Sequence, residues 1–251
     1  MRVALFVPCY VDQLAPDAGW AALELLEELG VDVDFPRAQT CCGQPMWTAG
    51  ARDGARVLAE RFLDVFDGWD RVVAPSGSCV ATVRRAFTEL VEPRQRARAA
   101  AMASRCFELT EFIVDELGVS RIDRAYPHRV GLHQGCHALR ELRLGRASER
   151  RVATRDPARE LLASLHGIEI AELEREDECC GFGGGFSLGE APVSALMGED
   201  RLLDHQRAGV EVLTSTDASC LMHLDGLARR NGAPLRTLHV AEVLMGREPR
   251  S

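Results

Sequence analysis

Val3-Ala4-Leu5-Phe6-Val7-Pro8-Cys9 is a short apolar run closed by a proline and then a cysteine. A continuous apolar run of this length, ended by a breaker, reads as a strand buried on both faces, the kind found in parallel sheets. Outward from it, residues 18–29 have helical spacing, with Ala21, Ala22, Leu25, Leu26 and Leu29 on one face and Gly30 as the stop. A second strand is expected over 31–35, followed by Cys41-Cys42-Gly43, then a helix over 51–66, a strand over 71–75, and Cys79. Each cysteine element thus follows the C-terminal end of a strand.

The order recurs downstream. Strands expected over 130–133, 169–173 and 210–215 precede Cys136, Cys179-Cys180-Gly181 and Cys220, with helices over 157–165, 192–207 and 221–231. Intervening lengths are 31 and 36 residues in the first copy and 42 and 39 in the second, by subtraction, so eight of nine cysteines fall into a twofold pattern. Alternating strands and helices predict an α/β fold with parallel strands and right-handed crossovers. We expect two tandem pseudo-symmetric domains, 1–120 and 121–251, each a mostly parallel sheet flanked by helices. Residues 118–129 form the connector. Ligands of such sheets bind beyond the carboxyl ends of the strands, where cysteines distant in sequence meet.

Length and charge narrow the function classes. The chain has 251 residues, 46% hydrophobic, enough for two cores of common size. With 30 basic residues, all arginine, against 38 acidic ones, the net charge of −8 disfavours nucleic acid or an anionic membrane as partner. The arginine-rich 93–105 stretch reads as a solvated helix face. The N-terminal apolar run is too short for a signal-peptide core and no stretch is long enough to span a membrane, so a soluble cytoplasmic protein is expected. In a reducing compartment nine cysteines read as metal-binding or redox groups, not a disulfide framework.

Thiolates are soft ligands for zinc, copper(I) or iron-sulfur clusters. Adjacent cysteines on an extended backbone point to opposite sides and fit poorly on one tetrahedral zinc, whose paired cysteines are usually two to four residues apart. A cluster offers more than one iron, so the Cys-Cys-Gly triplets favour iron-sulfur over zinc. Gly43 and Gly181 would allow a tight turn and close backbone approach. Cys106 lacks a counterpart and reads as a small buried hydrophobe. His133, His137 and His223 flank the second set, either as donors to sulfur, as replacement ligands, or as ordinary histidines. The Gly181–Phe186 segment does not complete G-x-G-x-x-G and reads as close packing around the site.

On these residues the chain resembles the cysteine-rich CCG-domain family, which includes the cysteine-rich subunit of heterodisulfide reductase and the iron-sulfur subunit of glycolate oxidase. Within it, the chain is most similar to the two-repeat lactate utilization A family. The likeness rests on Cys41-Cys42-Gly43-Gln44-Pro45, Ser76-Gly77-Ser78-Cys79, Cys179-Cys180-Gly181-Phe182-Gly183-Gly184, Cys220-Leu221-Met222 and His239-Val240-Ala241-Glu242-Val243-Leu244.

The resemblance implies a cytoplasmic iron-sulfur component of an L-lactate to pyruvate oxidation system, working with lactate utilization B-like and C-like subunits. It implies one metal site at Cys9, Cys41, Cys42 and Cys79 and another at Cys136, Cys179, Cys180 and Cys220, each with an iron-sulfur cluster, zinc in one site being the alternative. The chain reads as an oxidoreductase subunit relaying electrons, not a complete dehydrogenase; the rival readings are a thiol-disulfide reductase subunit and a zinc-stabilised scaffold. The chain departs from the heterodisulfide reductases, which have five cysteines per repeat. Ser76 and Asp217 stand at the fifth position, and Asp217 is expected as an oxygen ligand or, more ordinarily for an Asp, a helix N-cap.

Overall fold

The computed structural model describes residues 1–150 and 155–249. Eight strands form two four-stranded sheets: β1 Val3–Leu5, β2 Val33–Asp34, β3 Arg71–Ala74 and β4 Cys106–Glu108, then β5 Arg129–His133, β6 Glu169–Ile170, β7 Val212–Ser215 and β8 Arg236–His239. The orders are β2-β1-β3-β4 and β6-β5-β7-β8, and every pairing is parallel. The expected α/β architecture with twin parallel sheets is what the chain adopts. Five of the six expected strands are shorter than expected, β5 begins one residue earlier, and β4 and β8 were not anticipated as strands.

Period-two alternation divides the core. Val3 and Leu5 point to a central core shared with Val130 and Leu132 of the other sheet, and the helix Pro16–Glu28 contributes Ala21, Ala22, Leu25 and Leu26 to it. Ala4 and Phe6 point the opposite way, against Phe62 and Phe66 of the outer helical layer. On the far side of the second sheet, Leu213 packs with Leu202, Leu224 and Leu227. The two sheets are therefore joined through a common apolar layer instead of a thin linker contact, with Leu109, Phe112, Val240 and Val243 in the same layer.

β4 and β8 end in matching capping boxes. The Glu108 carboxylate accepts from the Thr110 and Glu111 N–H groups, and the His239 ring accepts from the Ala241 N–H, with Glu111 and Glu242 bonding back to the cap residues. Each box satisfies orphan N–H groups where a sheet hands the chain to a helical turn. Cys106 is fully buried on β4, as a small hydrophobe should be, and burial pushes its thiol up to about 12. In the arginine-rich stretch, Ala99 and Met102 of the helix Arg96–Ala103 face inward and Arg94 is solvated, while Arg98 pairs with Asp64 and Asp67.

Candidate metal centre

All three cysteine elements of each half lie just past strand carboxyl ends. Cys9 opens the helix Cys9–Leu14 after β1; Cys41 and Cys42 follow β2; Cys79 is in the first turn of the helix Gly77–Arg85 after β3. In the second half Cys136 follows β5, Cys179 and Cys180 follow β6, and Cys220 is in the first turn of the helix Ala218–Arg230 after β7. Polar side chains pin the intervening loops. Gln39 accepts from the Val7 N–H at 2.7 Å and donates to the Leu5 carbonyl at 3.1 Å, tying the approach to Cys41 to the end of β1. The Asp204 carboxylate accepts from the Glu174 and Arg175 N–H groups, both at 3.1 Å, and pairs with fully buried Arg201 at 3.1 Å, which holds the approach to Cys179.

The sheets are docked with these ends converging. All eight repeat cysteines line one cavity, together with Ser76, Ser78, His137 and Asp217. The two sets therefore share a common opening and are not isolated at separate sheet edges. Tyr10 of the first half meets Phe182 of the second edge-on at 5.6 Å across the mouth. Tyr10 escaped the sequence reading although it directly follows Cys9, and Phe182 entered it only within the glycine-rich segment taken as packing around the site.

All nine cysteines are free thiols, so no vicinal disulfide forms. Cys9 Sγ lies 3.5 Å from Cys41 Sγ, and Cys42 Sγ lies 3.2 Å from Cys79 Sγ. The thiols share protons unequally. Hydrogen bonds from Cys42 and Cys9, with help from the Gly43 N–H, hold Cys41 down at about 3, whereas Cys9 and Cys42 are pushed up by their contact with Cys41 and by burial. Hydrogen bonds from Cys136 and Cys180, with the Gly181 N–H, likewise hold Cys179 at about 2. Cys220 is lowered to about 7 by Cys180, with His133 assisting. The first cysteine of each triplet is thus the thiol its neighbours make most acidic, half-buried and facing the cavity.

Gly43 and Gly181 adopt left-handed φ values of 85° and 87°. They serve different ends. A Cβ on Gly43 would meet nothing closer than 3.4 Å, but on Gly181 it would lie 2.5 Å from the Ser194 carbonyl and 2.7 Å from Met197 Cβ. Gly181→Ala should therefore cost about 2–5 kcal/mol, the left-handed penalty plus overpacking, and Gly43→Ala only about 1–2 kcal/mol. Urea denaturation of the two variants checks the difference; equal losses would remove the packing role assigned to Gly181.

Ser76 behaves as a helix N-cap, its hydroxyl accepting from the Cys79 N–H at 3.3 Å. Asp217 occupies the equivalent position but its side chain does not cap its own helix. Its Oδ1 instead accepts from Ser76 Oγ at 2.9 Å, from the Ser78 N–H at 3.0 Å and from Ser78 Oγ at 2.7 Å, all across the junction between halves. That carboxylate is 2% exposed. The ordinary N-cap expectation for Asp217 is corrected: it caps the helix of the other half. The two positions that lack a fifth cysteine are hydrogen-bonded to each other. A close approach tightens the same seam, since a Cβ on Gly77 would sit 2.5 Å from Ala138 Cβ, and within the second half one on Gly135 would lie 2.6 Å from Asp217 Oδ2.

The three histidines part company. His137 Nδ1 meets Glu141 at 2.6 Å and its Nε2 meets Gln44 Nε2 at 3.0 Å, bridging the halves at the cavity wall. His223 Nε2 contacts the Ser194 carbonyl at 3.3 Å, behind the Gly181 turn. His133 is fully buried, and one of its ring nitrogens lies with Cys180 Sγ and Cys220 Sγ in a group whose ligand atoms are all within 4.8 Å of one another.

The spacing of the donors bears on how a single ion could be held. Tetrahedral zinc with bonds of about 2.3 Å would place all four sulfurs about 3.8 Å apart. Among the described residues, only His133, Cys180 and Cys220 form a group of three donors that compact. Each half brings four thiols to the common cavity, a soft donor set suited to binding metal.

The cysteine-rich domain family designated CCG matches residues 3–84 and 130–225. The chain is similar to lactate utilization protein A of an Exiguobacterium species, 39% identical over 97% of this chain and 96% of that one. It is also similar to lactate utilization protein A of Bacillus subtilis, 36% identical over 98% and 100%. A hypothetical protein from Helicobacter pylori shares the fold with a TM-score of 0.64 at 10% identity, this chain spanning 49% of its length. The twin Cys-Cys-Gly elements, their strand-end placement and the full-length likeness agree: the chain belongs to the CCG cysteine-rich family and, within it, to the lactate utilization protein A family.

Proposed function

We propose that this protein is an iron-sulfur subunit of a cytoplasmic system that oxidises L-lactate to pyruvate, and that it relays the electrons instead of oxidising lactate itself. The observation that supports this best is the single cavity lined by two sets of four thiols. Cys9, Cys41, Cys42 and Cys79 would hold one cluster and Cys136, Cys179, Cys180 and Cys220 the other. Such clusters supply one-electron redox chemistry at a potential tuned by their surroundings.

The chain's own residues prepare the sites. Cys41 and Cys179, whose acidity their neighbours raise, line the cavity, and a metal takes its sulfur ligands in the thiolate form. Gly43 and Gly181 aim N–H groups at those sulfurs, 3.4 Å away in both cases. Asp217 locks the halves in register so that both sets face one opening. Substrate oxidation and the terminal acceptor belong to partner chains, for which lactate utilization B-like and C-like subunits are the proposal. No helix among the described residues is long and apolar enough to cross a membrane.

Anaerobic purification followed by iron, sulfide and zinc analysis with electron paramagnetic resonance tests the reading. Iron and sulfide for two clusters per chain are expected, reducible in the presence of the partner subunits and lactate. Stoichiometric zinc without iron would reject it in favour of a scaffold. A thiol-disulfide reductase competes on one observation, the half-buried Cys41 and Cys179, each made more acidic by neighbouring thiols. Turnover of a mixed disulfide by the metal-free protein would favour that reading.

A further inference from the structure

We infer that His133 is a nitrogen ligand of the second metal site, so that the two sites of this chain are chemically unequal. The inference rests on the proposal that the site holds an iron-sulfur cluster.

His133 is the last residue of β5, and Phe6 holds the corresponding place after β1, three residues before Cys9 as His133 is three before Cys136. Both point away from the shared central core. Phe6 is an ordinary apolar packing residue, ringed by Phe62 and Phe66 at 5.0 and 5.6 Å. The imidazole of His133 has no such excuse. It is 0% exposed, and neither Nδ1 nor Nε2 has a hydrogen-bond partner that meets ordinary geometry. A buried polar group without a partner costs about 1–3 kcal/mol, and a residue that pays this twice over needs compensation. The atoms placed to give it are the sulfurs of Cys180 and Cys220.

Backbone placement leaves His133 little freedom to do anything else. Gly131, two residues earlier on the same face, has no side chain because the His205 ring fills that space, 2.3 Å from where its Cβ would be. His205 thus closes the space on the strand side of His133, and the cysteines close the other. The first half has no counterpart: Phe6 offers no donor atom. Cys180 and Cys220 with His133 therefore form the buried end of the second site, and Cys136 and Cys179, half-buried, form its mouth.

The chemical consequence is a difference in potential. His133 brings the second site a neutral nitrogen donor besides its four thiolates, a donor the first site lacks, so the two sites differ in ligand set and hence in potential.

The test uses the full-length anaerobically purified protein, labelled with nitrogen-15 at histidine, reduced and examined by pulsed paramagnetic resonance. A hyperfine coupling of the size produced by a directly bonded nitrogen is expected on one cluster only. H133F, which copies Phe6, should abolish it, and H133C should abolish it while keeping full iron and shifting one of two reduction potentials downward. No histidine coupling in the wild type, only the weak coupling of an N–H···S contact, or a coupling that survives H133F would each overturn the inference while leaving the iron-sulfur reading intact. Absence of iron and sulfide from the wild type would overturn both.

Discussion

Cys42→Ser is expected to lose the iron of the first site and to abolish electron transfer while the chain still folds. Cys42 is 2% exposed and its sulfur lies 3.2 Å from that of Cys79, so its replacement removes a soft donor at the buried end of the set. A serine hydroxyl buried there costs about 1–3 kcal/mol, less than the stability of an ordinary domain, so the fold survives. Iron should fall to about half the wild-type content, counting one cluster per set, with electron transfer from lactate through the assembled subunits reduced at least tenfold, roughly the cost of disturbing a metal's surroundings. A zinc-stabilised scaffold predicts the reverse order, because losing a structural metal takes the folding energy with it. Normal electron transfer in a folded, half-loaded variant would remove the first site from the relay.

Asp217→Ala should destabilise the junction between halves by about 3–5 kcal/mol, and Asp217→Asn by much less. Three donors, Ser76 Oγ, Ser78 N and Ser78 Oγ, converge on Oδ1. Hydrogen bonds to a charged acceptor are worth about 1.5–3 kcal/mol each, and stranded buried donors add a desolvation penalty, though such losses are not fully additive. Asparagine can keep an oxygen at the Oδ1 position and lose only the charge. Denaturant titration gives the energies. Hydrogen exchange at the Ser78 amide reports the local contact directly. If alanine and asparagine are equally mild, Asp217 does not bridge the halves.

Much of this architecture was legible before folding was considered. The apolar runs at 3–7 and 71–75 read as buried parallel strands because both faces of each strand are covered, one by the shared core and one by outer helices. The Cys-Cys-Gly triplets pointed to metal because adjacent thiols suit a cluster, and the glycines proved to be left-handed as the turn required. β4 and β8 were missed for a physical reason. Cys106–Glu108 and Arg236–His239 are short and carry little pattern of their own, and each is strand only because β3 or β7 supplies its hydrogen bonds. His205 and Arg201 were missed because helical periodicity gives no warning of a buried polar residue whose neighbours lie on another element.

The sequence by itself determined the local and repetitive properties: a strand followed by cysteine, three times in each half, and the chemistry of eight thiols. Those follow from periodicities and side-chain types that need no distant partner. Tertiary structure alone decided that the two sets open on one cavity, that Asp217 reaches Ser76 from 141 residues away, and that His133 faces Cys180 and Cys220 where Phe6 faces phenylalanines. Each depends on how two sheets dock through a common apolar layer. That docking energy is spread over many small contacts and leaves no motif in the chain.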